Sequence, residues 1–376
     1  MRTLRSIYHL SVKSYTDEGT FCAAAERLAG LCALGFDAVA ISAFDDTCGS
    51  SQQLLSLVAR AHALGLCVVL DLACLYGGVT SPASFIEMAV RQSLADGFLL
   101  GAQDLRFDDV LPTIGRLHKE RDDLWFGLCD RAPIEGERPD GIARLGFEPS
   151  AILTAAQPAD ELSRQLARVA KTRMPLVTPV PYRPEQTLKD HAAGDAALLL
   201  AYLLPGVPHL AAGCESASHA TRPTDAQAFA DRRRYALLTT LCRLRSAYAT
   251  LSSTHPAARI DLQDGTLILS RRTDAGTLYL YLRVGTEAGC VSDRPLAAAR
   301  PLLSSGLYRR GGLPCLSPYG YALCFVEKVQ KTARIADAEQ AHTDEVENST
   351  VGSVGPDSEE MPPVTVQNAG EMQTIL

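Results

Sequence analysis

The sequence predicts an α/β protein: a parallel (β/α)8 barrel, then a small antiparallel β domain, then a disordered acidic tail. Three observations predict it. Apolar runs of strand length alternate with amphipathic segments through the first part of the chain. From about His255 the pattern changes to short alternating runs, and beyond Arg334 periodicity is lost altogether.

The expected barrel strands are Ile7 to Leu10, Ala38 to Ile41, Cys67 to Leu70, Gly97 to Leu100, Trp125 to Leu128, Ala151 to Thr154, Leu176 to Thr178 and His209 to Ala211. Between several of them, apolar residues recur every three or four positions, as in Phe21 to Leu34, Gln52 to Leu64 and Ala159 to Val169. Gly65 follows the second of these segments and stops it just before a strand. A helix is expected over Ala226 to Tyr248. A doubly wound open sheet has the same period and also buries its strands on both faces. The antiparallel strands are expected at Thr266 to Ser270, Thr277 to Arg283 and Ala322 to Glu327, with turns at Gln263-Asp264-Gly265 and Asp274-Ala275-Gly276. The domain boundaries are then 1–250 for the barrel, 255–328 for the β domain and 335–376 for the tail.

Charge follows the same division. The 376 residues carry a formal charge of -7, yet after Arg334 there is no Lys or Arg and there are nine carboxylates, so the body before it is near neutral. That balance argues against a nucleic-acid footprint and a polybasic membrane surface. The apolar stretches Ala63 to Tyr76 and Ala196 to Leu204 fall short of a membrane span, and Met1 to Leu10 does not read as a signal peptide. Eleven cysteines stand singly in apolar runs without CxxC pairs, so buried thiols are expected rather than a zinc site. No cofactor or metal motif is present. Asparagine occurs only at Asn348 and Asn368, so nothing before the tail can use that side chain.

Chemistry in a (β/α)8 enzyme sits at the C-terminal strand ends. There the sequence offers Asp71-Leu72-Ala73-Cys74-Leu75-Tyr76, Asp96-Gly97-Phe98-Leu99-Leu100-Gly101, Leu128-Cys129-Asp130, Pro179-Val180-Pro181-Tyr182 and Gly213-Cys214-Glu215. With Ile7-Tyr8-His9-Leu10, Leu34-Gly35-Phe36-Asp37-Ala38-Val39, His62-Ala63-Leu64-Gly65 and Pro205-Gly206-Val207-Pro208, these segments stand in one order. In that order the chain resembles the α-amylase family (glycoside hydrolase family 13) over about residues 5–250. The resemblance implies structural roles for Asp71 and Asp96. It also implies that the family's nucleophile falls on Gly101, its arginine on Leu99, its acid/base on Cys129 or Asp130, and its Asn-His pair on Leu75 and Tyr76. A retaining glycosidase needs two closely spaced carboxyl groups. The expectation is therefore a catalytically degenerate barrel, not an enzyme.

Such a barrel, without an inserted domain between Asp71 and Asp96, resembles the heavy-chain ectodomain of heteromeric amino-acid transporters. That resemblance implies a scaffold that supports trafficking of a multi-spanning light chain, at the extracellular face of the cell membrane, although this chain shows no anchor. The alternative is an α-glucosidase-type glycoside hydrolase with displaced carboxylates. Asp104, Asp130 and Glu215 are the rim acids available to it, and loop solvation is their ordinary role. A carbohydrate-binding module would need aromatic platforms, but aromatics are 6% of the chain and Trp125 is the single Trp. His62 reads as a helix-surface residue, His209 as a barrel-interior one, and Arg232-Arg233-Arg234 as a solvated helix face. In the tail, Asn348-Ser349-Thr350 fits a glycosylation sequon, and Thr374-Ile375-Leu376 fits a weak PDZ-ligand ending.

Overall fold

The computed structural model of the chain describes residues 4–42, 46–72, 81–101, 107–128, 142–170, 176–180, 191–215, 232–252, 258–284 and 286–328. Eight parallel strands close into a barrel in sequence order: β1 (Ile7–Ser11), β2 (Ala38–Ser42), β3 (Cys67–Asp71), β4 (Gly97–Leu100), β5 (Trp125–Leu128), β6 (Ile142–Leu145), β7 (Leu176–Val180) and β8 (Val207–Ala211). Closure is the pairing of β8 with β1, Ile7 against His209 and His9 against Ala211. The helices on its outside include α1 (Val12–Tyr15), α2 (Phe21–Leu34), α3 (Ser51–Ala63), α4 (Pro82–Ser93), α5 (Phe107–Glu120), α6 (Pro149–Thr154), α7 (Pro158–Ala170), α8 (His191–Leu203) and α9 (Arg232–Ala247). Among the described residues, no helix is long and apolar enough to cross a membrane.

The sixth strand corrects the sequence reading. Ala151 to Thr154 lies in helix α6, and the strand is Ile142–Leu145 instead. A short apolar run does not by itself distinguish strand from helix. Pro149 at the first helical position, where its missing N–H costs nothing, starts a helix there.

Two residue sets separate the barrel's faces. Ile7, Ala38, Ala40, Cys67, Val69, Leu99, Trp125, Ala143, Val177 and Val207 form the interior cluster, while Tyr8, Leu10, Val39, Ile41, Val68, Phe98 and Leu210 belong to the cluster shared with the helices. Trp125 takes much of that interior. A Cβ on Gly127 would come within 2.4 Å of its ring and 2.8 Å of Leu99, so glycine two residues on makes the space that the indole fills.

The barrel's polar ties lie on its outer elements. His62 of α3 contacts Asp96 Oδ2 at 2.8 Å, and the same oxygen accepts from Val68 N at 2.7 Å, so Asp96 joins α3 to β3. Within the arginine run, Arg234 departs from the expected solvated face. Arg234 is buried and donates to Asp195 Oδ1 at 2.9 Å, while the exposed Arg233 reaches Oδ2 at 2.6 Å. Consecutive helical residues are rotated by about 100° from one another, which turns one of the arginines inward.

The second sheet is antiparallel, with strands β9 (Ala258–Gln263), β10 (Thr266–Arg272), β11 (Gly276–Arg283), β12 (Gly289–Cys290), β13 (Pro301–Arg310) and β14 (Leu313–Glu327) in the order β12-β14-β11-β10-β9, and β13 paired to β14. Leu267, Leu269, Leu278, Leu280 and Leu282 lie in the same apolar cluster as the barrel helices. Each contributes about 1.5–3 kcal/mol on burial. Arg271 donates to Leu203 O at 2.8 Å, and Tyr248 stacks on Phe325. The opposite face of the sheet carries Ile268, Tyr281, Leu316, Ala322 and Cys324, covered by Val291 and by Leu296 of α10 (Arg294–Ala298).

One pair of cysteines departs from the expected free thiols. Cys290 and Cys315 stand opposite each other in β12 and β14 and form a disulfide. Their separation of 25 residues carries no pairing signal, because the strand register alone brings them together. Cys48, Cys67, Cys214, Cys242 and Cys324 are buried, whereas Cys22 is exposed.

Candidate functional site

In the barrel, side chains alternate between the interior and the helix side, so the parity of Ile7, Val69 and Val207 also assigns His9, Asp71 and His209 to the interior. Asp71 is the last residue of β3, at the end where such barrels do chemistry, while His9 and His209 stand midway along β1 and β8. His9 Nε2 stands 3.4 Å from Asp71 Oδ2, and the His9 and His209 rings stack at 4.9 Å with an interplanar angle of 16°. The Nε2 atoms of both histidines are shielded from water and have no hydrogen-bond partner among the described residues. Ser42 Oγ, at the end of β2, donates to Leu10 O at 3.4 Å.

Burial holds the His9 pKa below its ordinary value, against the opposing pull of the Asp71 charge. His209 is pushed well down by burial and then by His9. Both rings are therefore neutral near pH 7, each with one nitrogen able to accept a proton or a hydrogen bond. The Asp71 carboxylate stands beside them. The cluster can bind a polar group, and His9 can take a proton from it. Among the described residues, no group of three His, Cys, Asp or Glu side chains is arranged to hold a metal ion.

The residues singled out from sequence fall in three places. Asp71 joins the interior cluster, while Asp96 stays with α3 and β3. Leu99 is fully buried in the interior apolar layer, and Gly101 follows β4, half-buried. Leu75, Tyr76, Cys129, Asp104 and Asp130 lie outside the described residues. Sequence reasoning missed His9 as a functional group. The available signal was a polar residue at an inward position of three separate strands.

Glu215 is not a solvated rim acid. It is 1% exposed, accepting from the Tyr8 hydroxyl at 2.7 Å and from Gly213 N at 2.8 Å. Tyr8 belongs to the cluster on the helix side of the barrel, where its ring meets Tyr15 and Phe36 edge-on. Burial raises the Glu215 pKa above 4.5, while its hydrogen bonds pull the other way. A carboxyl with a raised folded-state pKa gives its full stabilisation below the unfolded value, and that stabilisation is lost as pH rises through the folded value. Glu215→Gln keeps the Gly213 contact and reverses the Tyr8 one, since its amide oxygen accepts from Gly213 N and its NH2 donates to the Tyr8 oxygen. The melting temperature of the variant relative to wild type should therefore increase between about pH 5 and about pH 8. A difference that is flat across that range would refute this account of Glu215.

No family model and no curated protein sequence matches the chain. Solved structures do. The chain is similar to an α-amylase from Lactobacillus plantarum, with 13% identity over 86% of this chain and 98% of that one and a TM-score of 0.63. A debranching enzyme from Nostoc punctiforme is 13% identical over 86% and 98% of the two chains, with a TM-score of 0.66. A cyclic α-maltosyl-(1→6)-maltose hydrolase from Arthrobacter globiformis is 14% identical over 87% and 99%, with a TM-score of 0.63. Identity at this level establishes the amylase-type fold. The expectation that the chain is not an enzyme is corrected here: the neighbours in fold are named as enzymes, and substitutions at Leu99 and Gly101 do not establish loss of chemistry in a barrel that carries His9, Asp71 and His209.

Proposed function

We propose that the chain is a glycoside hydrolase of α-glucosidase type, acting in carbohydrate metabolism with catalytic groups displaced from the positions of the amylase family. The observation that carries this reading is the His9, Asp71 and His209 cluster in the barrel interior, with Asp71 at the C-terminal end of β3. The likeness to amylase-type hydrolases supports the substrate class. In this reading Asp71 supplies the charged carboxylate, and His9 is positioned to exchange a proton with substrate or water. Asp104 and Asp130 are the candidates for the second carboxyl that glycoside hydrolysis uses. The transporter-subunit reading draws no support from the described residues and is not carried forward.

The test is turnover of an aryl α-glucoside and of maltose by wild type and by Asp71→Asn, Asp104→Asn and Asp130→Asn. Wild type should hydrolyse at least one of the two. Asp71→Asn should lower kcat/KM on the order of 10²–10⁴-fold. Absence of turnover by folded wild type on both substrates, or full activity in Asp71→Asn, would defeat the proposal.

A further inference from the structure

The hairpin of β13 and β14 carries an uneven charge that the barrel chemistry does not use. Between Asp293 and Glu327 there is no Asp or Glu, yet there are four arginines, Arg294, Arg300, Arg309 and Arg310, in a chain whose body is otherwise near neutral. Three of them flank or end β13, and all four are exposed. Arg309 Nη1 donates to Gly312 O at 3.0 Å, which fixes the hairpin tip.

Among the described residues, β13 pairs with β14 alone and so forms an edge of the sheet. Its second row of backbone N–H and C=O groups is a template for another extended chain. Ser304, Gly306, Tyr308 and Arg310 are exposed at alternating positions, with Tyr308 at 42% and the neighbouring Leu313 at 48%. Gly306 has a φ of 64° where the register shifts between Ser305 and Leu307, and a Cβ there would meet Ser317. The bulge leaves Leu307 to Arg310 as a regular segment paired with Leu313 to Leu316, and the disulfide ties that stretch of β14 to β12 behind it. The edge is thus held rigid where its charge is greatest.

We infer that the β13 edge, from Leu307 to Arg310, binds an extended acidic segment of a partner protein by strand addition, with partner carboxylates on the face of Arg309 and apolar partner side chains on the opposite face beside Tyr308. Arginines guard the edge against a second copy, because a self-paired edge would set like charges side by side. The same charges select an acidic strand. A nucleic acid would use the arginines but not the open backbone edge.

The test uses the full chain and a fluorescently labelled ten-residue peptide of alternating Glu and Val, followed by anisotropy. The same peptide with Lys for Glu, an oligothymidylate and phosphatidylserine vesicles serve as comparisons. The Glu-Val peptide should bind in a salt-sensitive manner, and the Lys-Val peptide should not. Arg309→Glu with Arg310→Glu, both at exposed positions and checked for folding by circular dichroism, should weaken Glu-Val binding at least about tenfold and admit Lys-Val. Methylating alternate peptide amides to remove the donors should abolish binding. No binding of Glu-Val, binding indifferent to charge reversal or to amide methylation, or binding of the oligonucleotide or vesicles in its place would overturn the inference.

Discussion

Arg245→Leu should cost the protein on the order of 3–5 kcal/mol, a fall of about 6–10 °C in melting temperature for a body of this size. The guanidinium is 1% exposed and faces backbone carbonyls rather than a carboxylate: its Nε donates to Arg5 O at 2.8 Å, its Nη1 to Tyr202 O at 2.7 Å and its Nη2 to Gly206 O. Those three carbonyls lie just before β1, in the last turn of α8 and just before β8. One side chain thus joins the two strands whose pairing closes the barrel to the negative end of a helix. Burial and the charge of Arg271 push its pKa down to about 9, which still leaves it protonated at neutral pH. Removing it leaves buried acceptors without donors, while relief of the buried charge offsets part of the loss. Arg245→Lys should recover little, since an ammonium cannot reproduce a planar fork. Thermal unfolding checks the size of the effect, and amide exchange localises it to β1 and β8. A variant within about 1 kcal/mol of wild type would refute the assignment.

Replacing both Cys290 and Cys315 by serine should lower stability by about 3.5 kcal/mol, the loop-closure value for a link that spans 25 residues. Without the link, β12 is a two-residue strand at a sheet edge, held by its short pairing with β14, by Val291 N donating to Pro314 O at 2.8 Å, by Arg283 Nε donating to Glu287 O at 2.7 Å and by Tyr281 Oη donating to Asp293 Oδ2 at 2.9 Å. These bonds are too few to hold the covering segment tightly. Val291 and Leu296 would then leave the face of Ile268, Tyr281 and Leu316, and the loosening should appear as amide exchange in that segment before the barrel yields. Urea midpoints of wild type with and without dithiothreitol, beside the double variant, measure this. Three identical midpoints would show that the link adds nothing.

Much of the barrel was legible because its strands are buried on both faces and so read as continuous apolar runs. Cys67 to Asp71 and Gly97 to Leu100 are buried throughout. Where the apolar run was not a strand, at Ala151 to Thr154, a proline-initiated helix competed for it. The functional cluster was less accessible. His9 and His209 lie 200 positions apart and meet only because the last strand closes on the first. No local pattern states that closure. Asp71 was visible as a strand end, but its neighbour His9 is a consequence of strand parity and barrel shear together. The disulfide likewise depends on register, which a separation of 25 residues does not reveal.

The indole that fills the barrel beside Gly127 belongs to the only tryptophan in 376 residues. Its emission is therefore a single-site signal from the barrel floor, blue while the interior is dry and red once water enters. The antiparallel sheet contributes tyrosines but no indole, so fraying confined to that sheet changes circular dichroism while leaving the emission maximum in place. Following both signals in one cuvette separates the two events without any label.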